Sequence, residues 1–206
     1  MIVIGLGHRF GVGKDAVATI LVRDYGFVRR GFADALKEEV LARLPRTLDA
    51  MAHAVFTGRY AVAKEKGPEA IKALREELVY SLKPPVVRAL LQEYGSELRR
   101  YDNPDYWTNR MDDWLWATNP ARVVFTDVRF PNEVALVRAR GGCLVRVDRC
   151  QAPMNEASGH QSEQDPCPNE WGYIIPNHGE TLADLEGEVR TFAARFGISR
   201  YSELIS

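Results

Sequence analysis

The sequence predicts an α/β fold with a doubly wound, mainly parallel sheet of about five strands. The first observation behind this prediction is the apolar run Ile2 to Leu6, which leads through glycines into apolar residues at helical spacing. The second is a return of strand and helix alternation from Arg122 onward. Alternating strands and helices are typical of parallel sheets that helices cover on both faces.

The first half of the chain predicts two strand–helix units and then helices alone. Residues 27–32 predict a second strand, and Asp34 is predicted to cap a helix in which Leu36, Val40 and Leu44 share one face. No strand pattern occurs over 45–118, where apolar residues recur at helical spacing. We interpret this range as a helical insertion in one domain that spans 1–206.

The second half predicts the remaining strands. Arg122 to Val128 and Cys143 to Asp148 predict strands, and between them a helix begins at Pro131, because proline suits the first helical turn. Residues 173–177 predict a last strand before a final amphipathic helix. The range 150–171 is polar and lacks periodicity, which predicts a lid or a binding loop.

Composition excludes several classes of function. Hydrophobic residues make up 46% of the chain, charged residues 27%, and the net charge is -1, which gives no reason to expect a nucleic-acid or membrane partner. The apolar runs are shorter than the roughly 18 residues that span a bilayer, so we expect a cytoplasmic protein. Three cysteines without zinc-type spacing fit a reducing compartment.

The stretch GLGHRFGVGKDAV, residues 5–17, resembles a phosphate-binding loop but departs from its usual pattern. In G-x-x-x-x-G-K-[ST], backbone N–H groups and a helix N-terminus bind phosphate oxygens, and the lysine reaches the β and γ phosphates. His8 stands where a glycine is usual, and neither residue after Lys14 in GKDA carries a hydroxyl. The alternative is a glycine turn before an ordinary helix. We predict that the loop binds phosphate through Gly11, Val12, Gly13, Lys14, Asp15 and Ala16.

A second acidic residue follows an apolar strand. Asp127 lies at the end of VVFTDV, and the carboxyl edge of a parallel sheet is where α/β proteins bind ligands. Asp15 and Asp127 are therefore predicted to hold Mg²⁺, directly or through water. Arg129 is predicted to meet a phosphate; the alternative is that Asp127 caps a turn and pairs with Arg129.

Four blocks in order resemble the phage-type deoxynucleoside monophosphate kinases, within the P-loop nucleoside monophosphate kinase group. They are GVGKD (11–15), FADALKE (32–38), LLQEYGSELRRYDNPDYW (90–107) and TDVRFPNE (126–133), with HQSE (160–163) as a weaker fifth. The DVRFPNE run is far more specific than a glycine loop. GKD in place of GKS or GKT is also a habit of this family, whereas His8 and Ala16 stay atypical.

The resemblance implies a P-loop kinase fold that transfers the γ-phosphoryl group of ATP, with Mg²⁺, to a deoxynucleoside monophosphate. The insertion over 45–118 would bind this acceptor. Candidate catalytic residues are Lys14, Asp15, Arg129 and Arg149. Candidate acceptor-binding residues are Asp34, Lys37, Gln92, Arg99, Arg100, Tyr106, Trp107 and Arg129.

The residue types suit these roles to different degrees. A phosphate dianion favours bidentate guanidinium partners, so Arg99, Arg100 and Arg129 lead the acceptor candidates. Tyr106 and Trp107 offer flat surfaces for a base, although Trp107 equally fits an apolar helix face. A solvated helix position explains Gln92 as well as a ligand contact does.

The predicted lid contains no Lys or Arg between Arg149 and Arg190, so the lid arginine that is common in such kinases must come from elsewhere. Arg149 is the first candidate because it borders the loop. Arg9, Arg138 and Arg140 are alternatives, and each is equally explained as a surface arginine.

Two other functions remain open. The same fold could phosphorylate another small phosphorylated acceptor, such as phosphomevalonate, because a fold does not fix a substrate. A non-catalytic ATP-binding regulatory protein is the second alternative, supported by His8 and Ala16. A homodimer is left open, and a host-cytoplasm location follows only if the protein is phage-encoded.

Overall fold

The computed structural model describes residues 1–7, 11–149, 170–179 and 181–204. The described residues contain a five-stranded sheet in the order β2-β3-β1-β4-β5, and every strand pair is parallel. The strands are β1 (Ile2–Gly7), β2 (Val28–Arg30), β3 (Arg122–Val128), β4 (Cys143–Asp148) and β5 (Tyr173–Pro176). The predicted α/β fold with about five parallel strands is confirmed.

The boundaries of β3 and β4 coincide with those predicted, whereas β2 is shorter than the predicted range 27–32. The helix after β2 begins at Phe32, whose backbone N–H donates to Asp127 Oδ1 at 2.7 Å. The prediction that Asp34 caps the helix is wrong, because Asp34 lies inside the first helical turn.

The chain divides into two compact units, each described by itself. The first unit comprises Met1–Phe32 and Met111–Ser206, and the second comprises Ala33–Arg110. The predictions of one domain over 1–206 and of an insertion over 45–118 stay predictions. Most of the predicted lid, 150–171, lies outside the described residues.

Helices cover both faces of the sheet in the first unit. They are α1 (Lys14–Tyr25), α8 (Pro131–Ala139), α9 (Leu182–Arg195) and the short α10 (Tyr201–Leu204). Ile4 of β1 packs in one buried cluster with residues of α1 and α9, whereas its neighbour Val3 packs in another with residues of α8. Successive strand residues point to opposite faces, so the two clusters are the two faces of a doubly wound sheet.

Helices account for the described secondary structure between 45 and 118, and no strand occurs among these residues. The helices from residue 32 onward are α2 (Phe32–Arg43), α3 (Pro45–Lys66), α4 (Pro68–Glu76), α5 (Pro85–Gln92), α6 (Arg100–Asp102) and α7 (Tyr106–Thr118), with wider π-helical turns over Glu77–Leu82 and Glu93–Arg99. The second unit has its own apolar core, which includes Leu48, Leu78 and Val87. None of the helices in the described ranges is long and apolar enough to cross a membrane.

Candidate functional site

Two glycines, Gly11 and Gly13, lie between the end of the central strand β1 and the start of α1. Gly11 has φ 75° and Gly13 has φ 102°, a left-handed conformation that glycine adopts without steric cost. Lys14 is the first residue of α1, and the N-cap residue Gly13 has no side chain with which to cap this N-terminus. The first-turn N–H groups of a helix lack intrahelical partners and carry partial positive charge, so this end of α1 suits an anion.

Asn177, which follows β5, supports the loop from the side. Its Nδ2 donates to Val12 O at 2.8 Å, and its backbone N–H donates to Asp148 O at 2.7 Å. A Cβ at Gly13 would lie 2.4 Å from Asn177 Nδ2. Gly13 is therefore required for its φ and for this close approach, and Asn177 fixes the backbone just before Lys14.

Asp15 forms an ion pair with Arg29 of β2, and its side chain is 80% exposed. No sequence pattern indicated a role for Arg29. The pair brings a guanidinium beside the first turn of α1. A metal ion at Asp15 would have to compete with this guanidinium, which makes Asp15 a weaker candidate metal ligand than its position in the loop suggested.

Asp127 lies at the same edge of the sheet as the loop, since Gly7 of β1 is in register with Val128 of β3. Its Oδ1 accepts the bond from the Phe32 N–H. This contact agrees with the interpretation of Asp127 as a turn-fixing residue. It does not conflict with a metal role, because a carboxylate accepts several bonds.

Glu133 shapes the turn that carries Arg129. Its buried Oε2 accepts the Arg129 N–H at 2.7 Å and the Phe130 N–H at 3.2 Å, and Pro131 occupies the first position of α8. Sequence reasoning missed this role, although a glutamate three residues after a helix N-cap is a recognised capping signal.

In the second unit, Arg99 lies in a cluster with Glu39, Tyr94 and Tyr106. Arg99 Nη2 is 2.6 Å from Glu39 Oε1 and donates to the Tyr94 hydroxyl at 2.9 Å. The guanidinium carbon lies 5.2 Å from the ring centroid of each tyrosine. Glu39 also accepts from the Tyr94 hydroxyl at 2.9 Å and the Tyr106 hydroxyl at 2.6 Å.

This cluster shifts the pKa values of its members. Burial alone would raise the pKa of Glu39, but hydrogen bonds from Tyr106 and Tyr94 and the charge of Arg99 outweigh it, so the pKa is lowered. The hydrogen bond to Glu39, with burial, raises the pKa of Tyr106. Glu39 is ionised and Tyr106 protonated at neutral pH, which makes each hydrogen bond charge-assisted.

The other acceptor candidates occupy different environments. Trp107 is 2% exposed, and its Nε1 donates to Gly95 O at 3.0 Å, which favours the core-packing interpretation over base stacking. Lys37 pairs with Asp34 at 2.9 Å. Gln92 is exposed, and Arg100 is half-buried.

The candidate lid arginines are dispersed within the first unit. Arg149 is exposed one residue after β4, Arg138 pairs with Glu170 at 2.6 Å, and Arg140 pairs with Asp112. His8, Arg9 and the HQSE block (160–163) lie outside the described residues, so Arg9 as an alternative lid arginine stays a prediction. Within the described ranges no group of three or more His, Cys, Asp or Glu side chains could hold a metal by itself.

A parallel sheet whose central strand passes through left-handed glycines into a helix headed by lysine defines a phosphate-loop α/β protein. No protein-family model matches the chain. The chain is 30% identical over 163 residues to a protein of Acanthamoeba polyphaga mimivirus named "Putative deoxynucleotide monophosphate kinase", an alignment that covers 72% of this chain and 75% of the relative. The chain belongs to the nucleotide-kinase family.

Proposed function

We propose that the protein is a deoxynucleoside monophosphate kinase, which transfers the γ-phosphoryl group of ATP to a deoxynucleoside monophosphate and releases ADP and the diphosphate. The observation that carries this proposal is Lys14, placed directly after left-handed Gly13 at the start of α1. Because the chain belongs to the nucleotide-kinase family, we infer that this loop serves phosphoryl transfer. The name of the viral relative favours a deoxynucleotide as the acceptor.

On the donor side, the first-turn amides of α1 and the Lys14 ammonium would bind the ATP phosphates. The donor set fits a triphosphate because it combines backbone N–H groups with a lysine at the edge of the central strand. Asp127 and Asp15 would hold Mg²⁺ together with the substrate phosphates, which is how this ion is usually bound. Mg²⁺ neutralises charge on the phosphate oxygens.

On the acceptor side, Arg99, Arg100 and Arg129 would bind the monophosphate. A phosphate monoester is largely a dianion at neutral pH, since its second pKa is about 6, so its oxygen attacks without a protein base. A bond forms from this oxygen to the γ-phosphorus while the bond to the β–γ bridging oxygen breaks. The chain's task is to position the two phosphates and stabilise their charge.

The remaining candidates have more limited proposed roles. Tyr106 offers an aromatic surface for the base, with its hydroxyl held by Glu39. Asp34, Lys37 and Gln92 are proposed to contact the acceptor's sugar or base. Arg149, exposed beside the lid range, is proposed to stabilise charge in the transition state.

The test is ADP formation from Mg-ATP by the purified chain with dTMP, dGMP, dCMP, dAMP, their ribose counterparts, phosphomevalonate or no acceptor. We expect ADP only with one or more deoxynucleotides. Turnover with phosphomevalonate alone would keep the kinase assignment and overturn the acceptor. ATP binding without turnover on any acceptor would favour the non-catalytic alternative.

A further inference from the structure

Glu39 is a buried carboxylate that the proposed reaction does not use. Its side chain on α2 is 3% exposed. Burying a carboxylate is costly unless it is paired and hydrogen-bonded, and removing one partner of such a pair leaves an uncompensated charge. Four side chains meet this cost: two tyrosine hydroxyls, Arg99 at 2.6 Å and Arg43 Nε at 3.3 Å.

The contacts of Arg99 use only part of its guanidinium. Nη2 serves both Glu39 and the Tyr94 hydroxyl, and the rings of Tyr94 and Tyr106 lie beside the group at 5.2 Å each. These contacts fix the orientation of the planar guanidinium group of Arg99. Among the described residues the printed contacts of the guanidinium go through Nη2, while Nε is buried without a hydrogen-bond partner and the Arg99 side chain as a whole remains 28% exposed.

The charge of the cluster favours an anion. One carboxylate, Glu39, lies beside two guanidinium groups, Arg43 and Arg99, so the three groups sum to a single positive charge. A bound phosphate would therefore meet net attraction despite the nearby carboxylate. A guanidinium held in one orientation also loses less side-chain entropy when it binds, which strengthens each bond to the ligand.

We propose that Glu39, through hydrogen bonds with Tyr94 and Tyr106, is a positioning residue that presents Arg99 to the phosphate of the acceptor. This inference rests on the proposed function, which supplies the acceptor. It adds a residue that no sequence motif indicated. In the alternative, the cluster only stabilises the second unit, and Arg99 has no ligand.

Steady-state kinetics separate the two roles. We expect Glu39→Gln to raise the KM for the acceptor by about tenfold or more, because the guanidinium loses its fixed orientation, while the KM for ATP stays unchanged. Tyr106→Phe and Tyr94→Phe each remove one hydroxyl and keep the ring. These two variants should raise the KM for the acceptor by less than Glu39→Gln does. Glu65→Gln, at an exposed position on α3, is the matched control and should leave both values unchanged.

A double variant tests whether Glu39 acts through Arg99. With Arg99→Ala present, Glu39→Gln should raise the acceptor KM no further, since the arginine that it positions is gone. Equal effects of Glu39→Gln with and without Arg99, or an unchanged acceptor KM in a folded Glu39→Gln protein, would overturn the inference. If Glu39→Gln does not fold, Tyr94→Phe and Tyr106→Phe take its place: their effects on the acceptor KM are compared with and without Arg99→Ala.

A second readout does not need turnover. The Nε–Hε resonance of Arg99 is followed by nuclear magnetic resonance as inorganic phosphate is added to the full chain. A shift in the wild type that requires a higher phosphate concentration in Tyr106→Phe supports the inference, whereas an equal phosphate dependence in the two proteins, or the absence of a shift, overturns it. If no acceptor is phosphorylated, the proposed function fails, and this resonance decides the positioning role by itself.

Discussion

The two units would bind phosphate groups by different means. The first unit offers backbone: a left-handed glycine, the amides at the start of α1, and Lys14. The second unit offers side chains: Arg99 held by Glu39 and by two tyrosines. A backbone site depends on conformations that the chain must adopt locally, whereas a side-chain site depends on contacts between distant helices. Substitutions should therefore affect the two sites differently.

Lys14→Ala should have the largest effect. We expect kcat/KM to fall roughly a thousandfold or more, with the fold intact, because in the proposed mechanism the Lys14 ammonium neutralises phosphate charge directly. ADP formation and thermal unfolding measure the two quantities. Lys64→Ala, at an exposed position on α3, is the control, and wild-type-like turnover of Lys14→Ala would remove this residue from the mechanism.

Arg129→Lys tests a guanidinium whose position depends on the backbone of its own residue. The Arg129 N–H is fixed by Glu133, so the variant retains the turn but loses the planar fork. We expect about a hundredfold loss in kcat/KM for the acceptor. Arg110→Lys, exposed on α7, is the control. An unchanged rate would indicate that Arg129 acts only in local pairing.

Gly13→Ala should disturb the backbone site without removing a functional group. The alanine would have to adopt the left-handed backbone conformation of Gly13, and its Cβ would lie 2.4 Å from Asn177 Nδ2. We expect a loss of about 1–3 kcal/mol in the free energy of unfolding and weaker ATP binding. Gly187→Ala on α9 meets no atom within 4 Å and should instead be neutral or slightly stabilising.

Trp107→Phe distinguishes core packing from base stacking in the second unit. The variant keeps an aromatic ring but leaves Gly95 O without its indole donor. We expect about 1–2 kcal/mol lower stability by urea unfolding and an unchanged acceptor KM. A raised KM in a protein of normal stability would restore Trp107 as a base contact.

The smallest expected effect is on the acid dependence of stability. The pKa of Glu39 is lower in the folded state than the ordinary value of about 4.3 in an unfolded chain. Glu39 therefore contributes stability above about pH 4.3, and this contribution is lost as the pH falls through the lower folded-state pKa. Urea unfolding at neutral and acid pH should show a smaller pH dependence for Glu39→Gln than for the wild type.

Most of the sheet could be predicted from the sequence because strands and helix starts are marked by neighbouring residues in the chain. The apolar runs of β3 and β4 and Pro131 at the start of α8 mark boundaries that the structure reproduces. Asp34 shows a limit of such signals. A capping residue was expected there, but the chain enters the helix two residues earlier, at Phe32, whose amide is bound by Asp127 far along the sequence.

Glu39 and Asn177, which support the two sites, were missed for the same reason. Glu39 and Tyr106 are 67 residues apart, and Asn177 and Val12 are 165 apart. Such pairs produce no periodicity and no fixed spacing, since they exist only after the helices and strands have packed. Arg29, paired with Asp15 across 14 residues, was missed although it is close in sequence, because nothing in a strand pattern indicates a partner.

The bond from Asn177 to Val12 also has a consequence for protein synthesis. The ribosome adds the amide of Asn177, which fixes the loop, 165 residues after it adds Val12. Strands β3 and β4, the partners of β1, also emerge long after it. A nascent chain that ends before β5 would carry the loop without this support. If the loop binds nucleotide as proposed, we expect its full affinity only once β5 has left the ribosome and paired with β4.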